Sequence, residues 1–162
     1  MTIADMLEAV LDTMPSVAQQ REALASIFAQ MPDVKQVFTQ MPSAIQPAHL
    51  PALMIVPEDV TYNVPYAGQL DILRDWLIRV YVAQFIEGRE YEMEKAGEPF
   101  LDILPLVVAA HPTVRLNSGL GFELFPLSGS SLQALAYNNQ TYLGASVSIR
   151  TVISVRVPRL VP

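Results

Sequence analysis

Apolar and polar residues alternate most regularly near the C-terminus, over residues 143–157. Every second position from Leu143 onward is apolar apart from Thr151, and the positions between them are mostly glycine, serine or arginine. This period of two predicts a strand with one buried face. At about 3.3 Å per residue the strand would span roughly 50 Å, which is long for a small domain. We therefore expect something outside the sheet to use part of it.

A second alternating stretch covers residues 73–86. One of its faces is wholly apolar and is expected to lie beneath helices: Trp76, Ile78, Val80 and Val82. The opposite face mixes charged, apolar and aromatic side chains: Asp75, Leu77, Arg79, Tyr81, Ala83 and Phe85. That mixture is typical of a sheet face that another subunit covers or that stays partly in contact with water.

Helical periodicity dominates the N-terminal region. Thr2 and Asp5 form a capping pair, and one apolar helix face follows it and ends at Pro15: Met6, Leu7, Val10, Leu11 and Met14. Ser16 and Gln19 repeat the start signal, and a second apolar stripe runs to Pro32: Leu24, Ile27, Phe28 and Met31. The two stripes fit either two helices or one kinked helix.

A third helix is predicted over residues 99–110, after an acid-rich stretch at residues 87–98. Pro99 suits its first turn, and Pro105 should kink or locally break it. Shorter strands are expected at residues 34–39, 52–56 with a continuation at 59–63, 122–127 and 132–137. The connecting segments are expected to be irregular: a Pro-rich connection at 41–51, loop tips at 64–70 and 128–131, and a turn at Asn138-Asn139.

The order of these elements predicts an α+β fold, with helices packed on one face of a largely antiparallel sheet. A chain of 162 residues suits a single domain over residues 1–162. Residues 1–15 would add an extra N-terminal helix, and residues 158–162 would form a short C-terminal tail.

Composition adds an expectation about partners. Hydrophobic residues make up 51% of the chain and charged residues only 16%, so partner subunits are expected to cover part of the exterior. The net charge of −6 argues against a surface that grips nucleic acid, although an acidic channel would let DNA slide. Acidic residues near the N-terminus and the absence of a long apolar run predict a soluble, unexported protein. Cysteine is absent, which excludes disulfides and zinc-thiolate sites.

Candidate chemistry is sparse. His49 and His111 are isolated, and we interpret them as loop or helix-end residues. The acid-rich stretch could bind a divalent cation if a bend brought several of its carboxylates together, but these residues could equally form a solvated helix face. They are Glu87, Glu90, Glu92, Glu94, Glu98 and Asp102. The glycine-containing segments at residues 119–121 and 128–130 lack the glycine spacing of a phosphate-binding loop. No serine has the nucleophile-elbow pattern. We therefore expect no catalytic residue, no metal, no cofactor and no enzymatic activity.

Three short sequence segments, together with the element order, resemble the tail terminator and related head-to-tail joining (neck) proteins of long-tailed bacteriophages. The first is IFAQMPDV at residues 27–34, followed by the Pro-bracketed strand at 51–57. The second is the long strand at 75–85 that feeds a helix, and the third is YNNQTYLG at 137–144, which opens the last strand. Residues before Pro15 look like an addition to the usual pattern.

The resemblance implies a virion protein that is assembled in the host cytoplasm as a ring, commonly of six copies. Such a ring would sit at the head-proximal end of the tail, stop tube polymerisation and join the tail to the capsid neck. Its partners would be copies of itself, the tail tube protein and a neck or connector protein, with DNA passing through the lumen without specific binding and no membrane involved. The rivals are another neck component, such as a head-completion or connector protein, and a small ligand-binding or enzymatic α+β domain.

A ring requires one patch to meet a different patch on the neighbouring subunit. Our hypothesis places part of this contact on the mixed face and on the polar edge of the last strand: Arg79, Tyr81, Phe85, Arg150 and Arg156. Charge reversal at Arg150 and Arg156 is then expected to leave folding intact and to weaken assembly.

Overall fold

Residues 1–161, which the computed structural model describes, form three α-helices, a short 3-10 helix and seven strands. The helices are α1 (Ile3–Leu11), α2 (Val17–Phe28) and α3 (Glu90–Ala109), and the 3-10 turn is Pro47–His49. The strands are β1 (Gln36–Phe38), β2 (Ala52–Asn63), β3 (Gln69–Gln84), β4 (Thr113–Arg115), β5 (Gly121–Gly129), β6 (Gln133–Tyr137) and β7 (Gln140–Arg156).

The strands form one large curled sheet in the order β1-β2-β3-β7-β5-β4, with β6 paired to β7 beside β5. β1 runs parallel to β2, and every other pairing among the described residues is antiparallel. The helices pack against this sheet, which confirms the predicted α+β class.

β7 is the central strand, and its length is explained within the chain. Along one side it pairs with β3 from Tyr142 to Arg156, and along the other it pairs first with β6 and then with β5. Residues 142–144 and 147–152 have partners on both sides, whereas residues 153–156 at the end of the strand pair only with β3. Most of its length is thus used within its own sheet, the expectation that something outside the sheet uses part of it stays a prediction, and the prediction of its buried face is confirmed.

The main core lies between the helices and one face of the sheet. Trp76, Ile78 and Val80 of β3 are buried there, as predicted, beneath Leu24 and Phe28 of α2. A buried polar chain crosses this core: Trp76 Nε1 donates to Thr151 Oγ1 at 2.9 Å, and Thr151 Oγ1 donates to Gln20 Oε1 at 2.8 Å. These hydrogen bonds link α2, β3 and β7.

The prediction for α3 is wrong at its start, because the helix begins at Glu90 and continues through both Pro99 and Pro105. Met93 and Gly97 extend the buried stripe of the helix toward its N-terminus. A Cβ on Gly97 would lie 2.9 Å from a methyl of Leu132 and 3.2 Å from a methyl of Val82 in β3, so glycine allows the helix to approach the sheet closely. Packing against the sheet thus stabilises turns that precede Pro99.

The structure also decides how the N-terminal helices and the strand β2 are divided. α1 and α2 are separate helices, each with the predicted capping box, rather than one kinked helix. β2 is one strand with an irregularity between Pro57 and Val60, and Asn138 and Asn139 both have positive φ, as in a tight hairpin turn.

Two further elements differ from expectation. The serine-rich tip at 128–131 is partly strand, and Ser130 Oγ accepts a hydrogen bond from the backbone N–H of Ser146 at 2.9 Å. β4 was not predicted. Residues 158–161 follow the last strand without regular structure, and Pro162 of the predicted tail lies outside the described residues.

Candidate assembly surface

The open sheet face, which is the face opposite the helices, carries most of the residues proposed for a subunit interface. Arg79 and Tyr81 project there from β3, and Arg150 and Arg156 project there from β7, because residues paired across strands share a face. Arg150 and Arg156 are six positions apart on one strand, which corresponds to roughly 20 Å. Phe85 is half-buried just beyond the end of β3. The structure therefore spreads these residues along the sheet rather than gathering them at one site.

Tyr81 does not fit the hypothesis that it forms part of a subunit interface. Its side chain is fully buried within its own subunit, with Tyr142 and Tyr137 at edge-on ring separations of 5.5 and 6.0 Å. Ile45 and Leu50, from the Pro-rich connection, complete this second apolar cluster. Tyr81 therefore cannot contact a neighbouring subunit directly.

The Pro-rich connection is held over the sheet by hydrogen bonds to its carbonyl oxygens. Tyr142 Oη donates to Ile45 O at 3.2 Å, Tyr137 Oη donates to Pro42 O, and Asn138 Nδ2 donates to Ser43 O. Prolines leave this segment without a regular ladder, so side-chain donors satisfy carbonyls that another strand would otherwise pair. Burial of Tyr137 and its proximity to Tyr81 and Tyr142 raise the pKa of its phenol. The sequence signal for this cover was the tyrosine-rich turn at 137–142.

The rest of the open sheet face is only partly covered. Leu73, Leu77 and Val152 are half-exposed around a central ion pair between Arg150 and Asp75, and Phe125 is exposed. Hydrogen bonding to Asp75 raises the pKa of the Arg150 guanidinium. The charge of Arg150 is therefore already matched inside the subunit.

A distal arm extends the sheet at the β2–β3 turn. We define it as residues 60–72 together with residues 152–161, which run alongside β3 and past its start. No side chain between residues 57 and 75 is fully buried. Four of its large apolar side chains are exposed: Tyr62, Val64, Tyr66 and Val161.

The arm has a defined local structure despite its exposure. Gly68 adopts φ +89°, which glycine tolerates without strain, and its carbonyl accepts a hydrogen bond from the N–H of Val157 at 2.8 Å. This bond ties the chain after β7 to the hairpin turn. An open cavity of about 750 Å³ lies between the two, lined mainly by apolar residues such as Val64, Leu70 and Pro158.

α1 exposes a second apolar surface. Met6, Val10 and Met14 pack against the main core, but Ile3, Leu7 and Leu11 are exposed in a stripe with a spacing of four residues. The sequence pattern put Leu7 and Leu11 on one apolar face with Met6, Val10 and Met14, and in the structure only part of that face contacts the core. We call Ile3, Leu7 and Leu11 the α1 stripe.

The candidate chemical groups remain dispersed. His49 Nδ1 accepts a hydrogen bond from the backbone N–H of Gln46 at 3.1 Å, and His111 Nδ1 lies 2.7 Å from Val107 O. Both histidines thus make local contacts at helix ends, as interpreted from sequence. Within residues 1–161, no three histidine or carboxylate side chains cluster as metal ligands would, so the acid-rich stretch does not form the cation site considered above. No helix in that range is long and apolar enough to span a membrane.

A scan against protein-family models and a search of curated protein sequences both find no match.

Proposed function

We propose that this chain is a structural virion protein that forms a ring at the head-proximal end of a long phage tail. The ring ends polymerisation of the tail tube and joins the tail to the capsid neck. The proposal rests on the resemblance to tail terminators in element order and in short sequence segments, and on the apolar surfaces that the fold leaves exposed.

One observation carries the proposal: two different apolar surfaces of the same subunit are exposed. The α1 stripe lies on a helix, whereas Tyr62, Val64 and Tyr66 lie at the turn between β2 and β3. Large exposed apolar groups favour contact with another protein surface. Two unlike patches suit a heterologous contact, and heterologous contacts close into rings when the rotation between subunits allows it.

The charge balance supports a passage for DNA. A net charge of −6 on each copy would give a ring a strongly acidic character. Phosphates are repelled by such a surface, so DNA would pass through the lumen without specific binding. The partners proposed are copies of the chain, commonly six, a tail tube protein and a neck or connector protein.

A separate observation favours the ligand-binding rival. An open groove of about 710 Å³ lies between α2 and the β4–β5 hairpin, and Glu22, His111 and Arg115 are among the residues that line it. A ligand-binding domain would use this groove as a closed monomer or dimer.

Electron microscopy of the purified protein separates the two functions. The ring proposal predicts annular particles with a central hole. Compact particles without a hole, at concentrations where the protein remains soluble, would contradict it and favour the groove.

A further inference from the structure

We infer that α1 of one copy binds the distal arm of another copy, with the α1 stripe packed on the apolar tip of the arm and the carboxylates of α1 facing the arginines of the arm. This inference rests on the proposed self-assembly and names the two surfaces that make it.

α1 is suited to such a contact because its apolar arc is wider than its contact with the core. One part of the arc holds the helix on its own subunit through Val10, which is buried, and through Met6 and Met14, which are partly buried. The adjacent part is the α1 stripe, in which Ile3 is 64% exposed and Leu11 59% exposed. A helix of an isolated subunit would ordinarily place polar residues at such positions.

Charge distinguishes the two surfaces. Residues 1–20 contain three acidic residues, Asp5, Glu8 and Asp12, and no lysine or arginine. The arm contains two basic residues, Arg156 and Arg159, and one acidic residue, Asp71, whose carboxylate accepts hydrogen bonds from Gln69 and Ser154. Neither arginine has a carboxylate partner within the described residues, where the one ion pair joins Arg150 to Asp75. Arg159 lines the same cavity as Val64, so opposite charges lie beside the two apolar patches and favour their association.

The same charges argue against the simplest alternative, in which two α1 helices pair with each other. Such a pair would bring together two acidic helices with no basic residue between them, and like charges at a contact are unfavourable. An arm-to-arm contact would likewise face arginines with arginines. A contact between α1 of one copy and the arm of another avoids both repulsions.

The dimensions of the surfaces agree. A helix of nine residues is about 14 Å long, and the α1 stripe runs along its whole length. The arm presents β2, β3 and β7 side by side, and three strands at about 4.8 Å spacing place the outer two roughly 10 Å apart. A helix of this length can therefore span the width of the arm.

Single cysteines provide a direct test, because the chain has none of its own. Leu7→Cys and Val64→Cys are prepared separately, one of them isotopically labelled, then mixed and mildly oxidised. Neither change disturbs a buried side chain, since Leu7 is 44% and Val64 63% exposed. Mixing Leu7→Cys with Glu94→Cys, which places the thiol on an exposed position of α3, is the matched control.

The inference predicts that intact mass measurement shows a mixed disulfide dimer between Leu7→Cys and Val64→Cys, formed about tenfold or more faster than the control dimer. Dominance of the Leu7→Cys homodimer would overturn it in favour of helix-to-helix pairing. Equal rates for the two mixtures, with assembly still visible in native mass spectra, would overturn this inference and leave the ring proposal standing. Absence of any assembly would overturn both.

A matched pair of charge variants gives an independent readout. Leu7→Glu adds a charge within the α1 stripe, whereas Ala9→Glu adds the same charge at an exposed position on another side of the helix. Leu7→Glu should raise the dissociation constant of the assembly by about tenfold or more, and Ala9→Glu should leave it within about twofold of wild type. Equal effects of the two variants would contradict a contact through the stripe.

Discussion

The guanidinium of Arg150 holds the carboxylate of Asp75 directly across the β7–β3 ladder. Nε donates to Oδ1 at 2.7 Å, Nη2 donates to Oδ2 at 3.2 Å, and the two residues are register partners. Arg150 therefore links β7 to β3 through its side chain, and the same side chain lies on the open sheet face.

The first prediction concerns charge reversal at this pair. Arg150→Glu would place two carboxylates directly opposite each other, which destabilises a sheet, so the expectation that reversal at Arg150 leaves folding intact no longer holds. Because the pair is partly exposed, Arg150→Met should cost only about 1 kcal/mol or less. Urea unfolding of Arg150→Met, Asp75→Asn and the double variant measures the coupling. Arg156 is exposed, and its reversal should leave stability unchanged.

The second prediction concerns the buried hydroxyl of Thr151. Thr151→Val would leave the indole N–H of Trp76 and the amide oxygen of Gln20 without their partner, at a cost of about 1–3 kcal/mol in the free energy of unfolding. Thr151→Ser keeps the hydroxyl and serves as the control. If denaturant unfolding shows the serine variant to be the less stable, the hydrogen bonds are not what Thr151 contributes.

The third prediction concerns the close approach of β3 and β7 at Gly144. A Cβ there would lie 2.0 Å from the carbonyl oxygen of Val80, so the strands would have to separate to admit alanine. Gly144→Ala should cost about 3 kcal/mol or more. Gly129→Ala, where the nearest atom would be 3.7 Å away, should stay within about 1 kcal/mol of wild type. Similar melting temperatures for both variants would refute the close approach.

The fourth prediction concerns pH and the cover over Tyr81. The pKa of Tyr137 is raised in the folded protein, so the unfolded chain releases its phenolic proton first as pH increases. This contribution to stability is fully present below the ordinary tyrosine pKa near 10, and it falls as pH rises above that value. Thermal unfolding should therefore show a loss of stability above about pH 10 that is smaller in Tyr137→Phe. An unchanged slope in that variant would mean that Tyr137 does not titrate differently on folding.

The sequence predicted the fold well where the pattern was local. The alternation over residues 143–157 identified the buried face of β7, because side chains of a strand alternate by geometry alone. The capping pairs at Thr2 and Ser16 likewise determined where α1 and α2 begin.

Predictions failed where distant segments decide the outcome. Burial of Tyr81 depends on the Pro-rich connection crossing the sheet, which no local pattern around Tyr81 reveals. Pro99 is a sound signal for a first helical turn, but Gly97 lets the preceding turns pack against the sheet.

The candidate surfaces combine residues that the sequence proposed with residues that it missed. The sequence pointed to the open sheet face and to Arg150 and Arg156, but it missed the exposed stripe of α1. Five apolar residues on a short helix form a wide arc, and only the packed structure shows that Met6 and Val10 face the core while Leu7 and Leu11 do not.

Sedimentation equilibrium of the purified protein, over a range of protein and salt concentrations, tests the central claim most directly. The account predicts particles of several times the 17.9 kDa subunit mass, whose dissociation increases with salt because opposite charges border the contact. A mass of 17.9 kDa at every protein concentration would contradict the account, because its exposed apolar surfaces would then have no second copy to cover them.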